Sequence, residues 1–291
     1  MQNRRRIVIT ALVFLLPTIV GTLIFRLIPI IWSFALSFYE WKVFDKAVFV
    51  GWKNYAHIFT SSISLDVFVN SAIFSVIYVA GSLALALVLA VVLNNGLRSS
   101  AFFRGAFFVP YITATVAIAL AWRWIFSTRF GVLNNLLIAL GVENPPAWLA
   151  DPAWALPAVA LVSIWKDVGF YMILLLAGLQ TIDPTLYQAA RVDGAGPIAR
   201  FRKVTVPLLT RSLFFVLIIA LVRSTQTFEI TYALTNGGPN RASTTLAFFV
   251  YQKAFVDFEV GYAAALSYIM CVILGFLTLV SFYFRRKWVH E

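Results

Sequence analysis

The sequence predicts an all-α integral membrane protein with six transmembrane helices, read as a single domain over residues 1–291. Three observations carry that expectation. Of the 291 residues, 61% are hydrophobic and only 12% are charged. The mean hydropathy is +0.87. Long apolar runs alternate with short segments in which Lys and Arg collect. A soluble domain carries roughly 25% charged residues, so this chain has too few to cover a surface that faces water everywhere.

The spans follow in order, each judged against the roughly 20 apolar residues needed to cross a bilayer at about 1.5 Å per residue. The first, 8–37, follows Arg4, Arg5 and Arg6. It is too long for a signal peptide and lacks a small-residue cleavage site, so it reads as a retained span. Pro17 and Pro29 are placed to kink it, and Arg26 must pair or reach an interface. Segment 40–69 is more polar, and its Trp41, Trp52 and Tyr55 suit the membrane boundary. Spans 70–93 and 105–126 are separated by a short loop containing Arg98 and Arg104, and the latter span contains Pro110. Loop 127–153 places Asn134 and Asn135 beside apolar residues, the pattern of a short interfacial helix. The remaining spans are 156–179, 207–233 and 262–284, with a turn required at TNGGPN, 235–240.

Charge distribution orients these spans. The formal net charge is +11 and the isoelectric point is near 10.0. With alternating spans, 13 Lys and Arg residues fall on the side shared by both termini and 6 on the other. The positive-inside tendency then puts both termini in the cytoplasm. No zinc-finger spacing or aromatic-basic interleaving points to nucleic acid. Cys271 is the lone cysteine, and His57 and His290 are isolated. No Gly-rich phosphate loop, HExxH or GxSxG is present, so the chain is expected to bind no cofactor and to catalyse no bond change.

Polar groups inside the spans are the first candidate site. Lys166 and Asp167 fall in the fourth span, and Arg223, Gln226 and Glu229 recur at three-residue intervals in the fifth, tracing one side of a continuous helix. A charge in hydrocarbon costs several kcal/mol unless it faces protein or water, so these residues are expected to line an interior. Two readings stand side by side. Asp167 and Arg223 could pair to hold two helices together, or the group could line a solute path that also includes Trp124 and Tyr171.

The second candidate is the polar interruption at 182–209. Asp183-Pro184 is a helix start, because the carboxylate takes a free amide hydrogen and Pro gives up one that would be unpaired. Leu186, Ala189, Ala190 and Asp193 share one side of the resulting helix, Gly194 and Gly196 stop it, and Pro197 opens a second short helix carrying Phe201. Charge alone would not require so much structure in a loop.

The order Gln188-Ala189-Ala190, then Gly194, then Val206-Pro207, resembles the EAA signature of permease subunits in binding-protein-dependent ATP-binding-cassette importers. The signature's leading Glu is Gln188 here, which removes a charge and keeps the reach. Residues 103–110, 122–124, 131–134 and 234–239, the last with Thr244, Tyr251 and Phe255, look like the carbohydrate-uptake group, whose members include maltose, multiple-sugar and glycerol-phosphate permeases. The resemblance implies a type I importer permease fold with a coupling loop at 182–206. Of the ATPase-coupling residues it implies, Gln188, Ala189, Ala190, Asp193 and Gly194 would belong to the first coupling helix and its turn, Phe201 would press toward an ATPase, and Pro207 would mark entry to the next span. It also implies a second homologous permease, identical or different, and an ATPase dimer carrying ATP and Mg. An extracytoplasmic binding protein would hand over a sugar or sugar derivative, whose ring could stack on Trp122, Trp124, Trp165 or Tyr171. An ion-gradient-driven secondary transporter is the alternative; it would need no docking loop.

Overall fold

The computed structural model describes residues 2–42, 45–94 and 100–288. Arg98 and His290 lie outside the described residues, as do the side chains of Arg4 to Arg6 and Arg285 to Lys287. The chain divides into two compact units, 1–61 with 250–269 and 62–249 with 270–291.

In the first unit, α1 (Gln2–Thr22) continues through a π-helical turn at Leu23–Leu27 into α2 (Ile28–Leu36). No residue in the span Leu12–Leu36 is buried within the chain, so its apolar surface is left for lipid or for another protein. The short strands β1 (Tyr39–Glu40) and β2 (Val48–Phe49) pair antiparallel and lead into α3 (Lys53–Thr60). Asn54 fixes this corner by donating to the carbonyls of Ser37 and Tyr39, both at 2.9 Å. Lys253 adds ion pairs to Asp257 at 2.9 Å and Glu259 at 3.0 Å.

The second unit opens with α4 (Ser62–Asn94), followed by α5 (Ser100–Ile112), α6 (Thr115–Ile125) and α7 (Val132–Ala139). Next come α8 (Pro152–Gln180), α9 (Pro184–Val192), α10 (Pro197–Arg200) and α11 (Val206–Thr225). The series ends with α12 (Glu229–Leu234), α13 (Leu246–Tyr251) and α14 (Val260–Trp288); the last two have residues in both units.

Its core is α8. Of its most apolar stretch 61% is buried, against 28% for α4 and 22% for the span that contains α11, and α4, α5 and α11 all pack on it. Asp151 starts the helix by accepting a hydrogen bond from the Ala153 amide at 2.9 Å, with Pro152 at the first position. Along α4 the buried residues Phe74, Tyr78, Ser82, Ala86 and Ala90 recur every four positions, one face of a helix. Three of those five are small, which lets two backbones approach in lipid, where no hydrophobic force drives helices together. Gly169 serves the same purpose opposite α5, since a Cβ there would come within 1.8 Å of the Phe107 carbonyl oxygen.

Two expected spans are interrupted. The segment 105–126 is a bent pair, Ala101–Ile112 and Thr115–Ile125, meeting at 99°, so among the described residues five helices are long and apolar enough to cross a membrane, or six with the pair taken as one span. Pro110 lacks an amide hydrogen, and Thr113 turns its hydroxyl back on the Val109 carbonyl at 2.8 Å, so the ladder ends and Ala114 becomes extended. The segment 207–233 stops being helical after Thr225 and resumes at Glu229. Here Thr225 and Thr227 hydroxyls take the carbonyls of Val222 and Arg223 at 2.8 and 3.0 Å, ending the ladder, and Thr245 donates to the Thr227 carbonyl at 2.7 Å.

The Gly169 contact gives a test of the α5–α8 approach. Gly169→Ala is expected to lower stability by about 1–3 kcal/mol through overpacking, read as a lower melting temperature of the purified protein. Gly21→Ala, with nothing within 4 Å, should leave it unchanged or higher.

Candidate functional site: a folded polar loop and a buried polar cluster

The loop between α8 and α11 folds as two short helices. Asp183 caps α9 by accepting from the Thr185 amide at 2.8 Å, and Pro184 occupies the first turn. That amide holds the Asp183 carboxyl below the usual carboxylate range. The cap is therefore complete at neutral pH and is lost on acidification through this lowered pKa. Asp193 is the C-terminal boundary, and Gly194 follows at φ +75°, a left-handed conformation that stops the helix and that a side chain would strain. Pro197 opens α10, and a π-helical turn at Phe201–Thr205 passes directly into α11. Tyr187 on α9 and Thr205 at the root of α11 share a hydroxyl hydrogen bond at 3.1 Å, which ties the loop back to the span it feeds.

Of the sequence-derived loop residues, Gln188, Ala189, Asp193 and Gly194 are exposed, while Ala190, Phe201 and Pro207 are half-buried. The loop also presents Leu186, Val192 and Ile198, at 45%, 88% and 72% exposure. Val192 and Ile198 were not singled out from sequence. Their signal was present, since a large apolar residue in a short polar helix has no interior of its own to enter.

The intramembrane polar residues divide into two sets. Asp167 on α8 accepts from Tyr78 on α4 at 2.5 Å and pairs with Arg223 on α11 at 3.4 Å, and Tyr78 and Tyr171 share a hydrogen bond at 2.8 Å. Arg223 also donates to the Tyr111 hydroxyl at 2.7 Å and lies over the Tyr111 ring at 4.9 Å. Lys166 donates to the Tyr111 backbone carbonyl at 3.3 Å. One carboxylate thus gathers α4, α5, α8 and α11, with its side chain only 11% exposed.

Trp124, Gln226 and Glu229 lie apart from this cluster. Trp124 is 59% exposed, and Gln226 and Glu229 are exposed as well. The expectation of one polar side running from Arg223 to Glu229 is corrected, because the helix ends at Thr225 and Glu229 starts another. Trp122 packs edge to face on Trp165 at 5.4 Å. Tyr78 and Tyr111 were missed: each sits in an apolar run, where a tyrosine looks like packing until a carboxylate is placed opposite its hydroxyl.

The cluster yields a stability test. Asp167→Asn leaves Arg223 and Lys166 without their anion and is expected to cost about 3 kcal/mol. Tyr78→Phe removes a hydroxyl that bonds the charge directly and is expected to cost about 1.5–3 kcal/mol. Tyr171→Phe should cost less than either, and melting of the three purified variants gives the order.

Comparison with known proteins places this architecture. Residues 82–288 match the family of binding-protein-dependent transport system inner membrane components. The probable ABC transporter permease protein YurN of Bacillus subtilis (strain 168) is 35% identical over the full length of both chains. The lactose transport system permease protein LacF of Rhizobium radiobacter is 33% identical over 94% of this chain and 93% of its own. In fold, the chain superposes on a bacterial ABC transporter involved in import of the acidic polysaccharide alginate. That match has a TM-score of 0.85 at 24% identity, over 98% of this chain and 96% of the other. The chain therefore belongs to the inner-membrane permease components of binding-protein-dependent ATP-binding-cassette importers, and is a transport subunit rather than an enzyme.

Proposed function

We propose that this permease carries a sugar or sugar derivative inward, and that the α9–α10 loop is the coupling element through which a partner ATPase drives it. The observation that carries the coupling role is the placement of one folded, apolar-faced loop between the two helices that share the Asp167–Arg223 pair. The sugar reading rests on the lactose and alginate systems named for the similar proteins. A homologous permease subunit would complete the path, an extracytoplasmic binding protein would deliver the solute, and ATP with Mg would be held by the ATPase dimer. Both termini are placed in the cytoplasm with the coupling loop, on the strength of the Lys and Arg distribution.

In this reading Leu186, Ala189, Val192 and Ile198 enter the ATPase surface, with Gln188, Ala190, Asp193, Gly194, Phe201 and Pro207 setting the shape of the loop. Movement of α9 is passed to α8 through the short connection after Gln180, and to α11 through Tyr187–Thr205 and the unbroken helical run Pro197–Thr225. Packed helices shift as units, so displacement at the loop reaches the buried pair without being absorbed on the way. Asp167, Tyr171 and Arg223 then act as the tie whose geometry changes with access. Trp124, Gln226 and Glu229 are assigned to the wall of the solute path.

Gly194→Pro cannot adopt a positive φ, and Ala189→Glu sets a charge on the docking face. Each is expected to reduce binding-protein-dependent uptake at least tenfold in proteoliposomes. Normal uptake together with normal stimulation of ATP hydrolysis in both variants rejects the coupling role. Gln226→Ala, compared at equal protein amount, is expected to reduce uptake severalfold; an unchanged rate removes Gln226 from the path.

A further inference from the structure

Behind α9 lies a cavity of about 630 Å³, bounded by the ends of α4 and α8 and by α9 and α10. Sites for small organic ligands occupy roughly 300–1,000 Å³, so this space is far larger than a water pocket. Its chemistry is one-sided. Arg191 and Arg200 both line it, and no carboxylate does among the described residues. Of the flanking acids, Asp183 has its side chain committed to the Thr185 amide, and Asp193, two residues from Arg191, does not line the cavity. The Nε of Arg200 is buried and has no hydrogen-bond partner, although buried donors are paired almost without exception. Asn94, Gln180 and Gln188 contribute further amide donors, while Leu179, Ile182 and Phe201 form an apolar part of the wall.

We propose that this cavity binds a phosphate ester, its phosphate held by Arg191 and Arg200 and its organic body resting on the apolar wall. Two forked guanidiniums and several amides offer more donors than a planar carboxylate can use, whereas a tetrahedral phosphate presents oxygens in several directions. The ligand comes either from an anionic phospholipid headgroup, because the cavity lies at the ends of two spans, or from a soluble phosphorylated compound. Once bound, it bridges α9 to α10 and stiffens the loop. The site rests on the cavity alone; only its effect on transport rests on the coupling role proposed above.

The test uses the purified full chain in neutral phosphatidylcholine nanodiscs and reads binding, with no transport step. In one arm phosphatidylglycerol is added to the discs, and its retention is followed by native mass spectrometry. In the other, glycerol 2-phosphate is titrated, and its phosphorus line width is followed. Saturable binding is expected in at least one arm, and the arm that binds identifies the source. Arg191→Gln/Arg200→Gln should weaken it at least tenfold. Arg202→Gln/Lys203→Gln removes the same charge from exposed positions outside the cavity and should change it less than twofold. If the first pair does not fold, Arg200→Lys keeps the charge while deleting the fork and should weaken binding at least threefold. No saturable binding in either arm, or equal weakening by both double variants, overturns the proposal.

Discussion

A carboxylate buried in a membrane helix has to be answered on every side, and Asp167 sets that requirement for the second unit. Its charge costs several kcal/mol in hydrocarbon. It is met by the Tyr78 hydroxyl from α4 and the Arg223 guanidinium from α11, with Tyr111 of α5 in turn holding Arg223. Apolar side chains alone would let these helices slide or rotate at little cost, because lipid solvates their surfaces as well as a neighbouring helix does. The polar tie removes that freedom. Gly169 and the small residues Ser82, Ala86 and Ala90 bring backbones close enough for side chains of ordinary length to reach.

The same tie makes distant movement consequential. From Asp167 to the end of α8 at Gln180 is about 20 Å of helix, and from Val206 to Arg223 on α11 is about 26 Å. Both helices have one end at the folded loop, and the pair joins the middle of α8 to the far end of α11. A loop that only relaxed under load would leave the pair undisturbed. One capped by Asp183, stopped by Gly194 and tied by Tyr187 to Thr205 moves its two attachments together.

Much of this architecture could be read from residue order, and the failures have specific physical causes. Asp183-Pro184 located the start of α9 because its mechanism is local. The same pair at Asp151-Pro152 starts α8, yet that span was expected only from 156, since apolarity was taken as its boundary and the cap was not. Gln226 and Glu229 were placed on the helix of Arg223 by spacing. The hydroxyls of Ser224, Thr225 and Thr227, which compete for the last carbonyls, were the sign that the helix ends there. Burial was the hardest property to infer. In water an apolar stripe marks the inside, but in lipid both surfaces are apolar, so the buried face of α4 was marked only by one tyrosine and a series of small residues.

Exposure in a lone chain carries its own constraint. Gln226 and Glu229 are exposed beside the end of α11, and a carboxylate cannot face hydrocarbon at the cost of an apolar group. That surface must meet water or protein, and a solute path formed against a second permease would supply both. The span Leu12–Leu36, with no residue buried in its own chain, faces the opposite condition: lipid suits it without any partner. Polar exposure, more than the large apolar surface, is therefore what argues for the proposed pairing of permeases, because only the polar face is left costly by the bilayer.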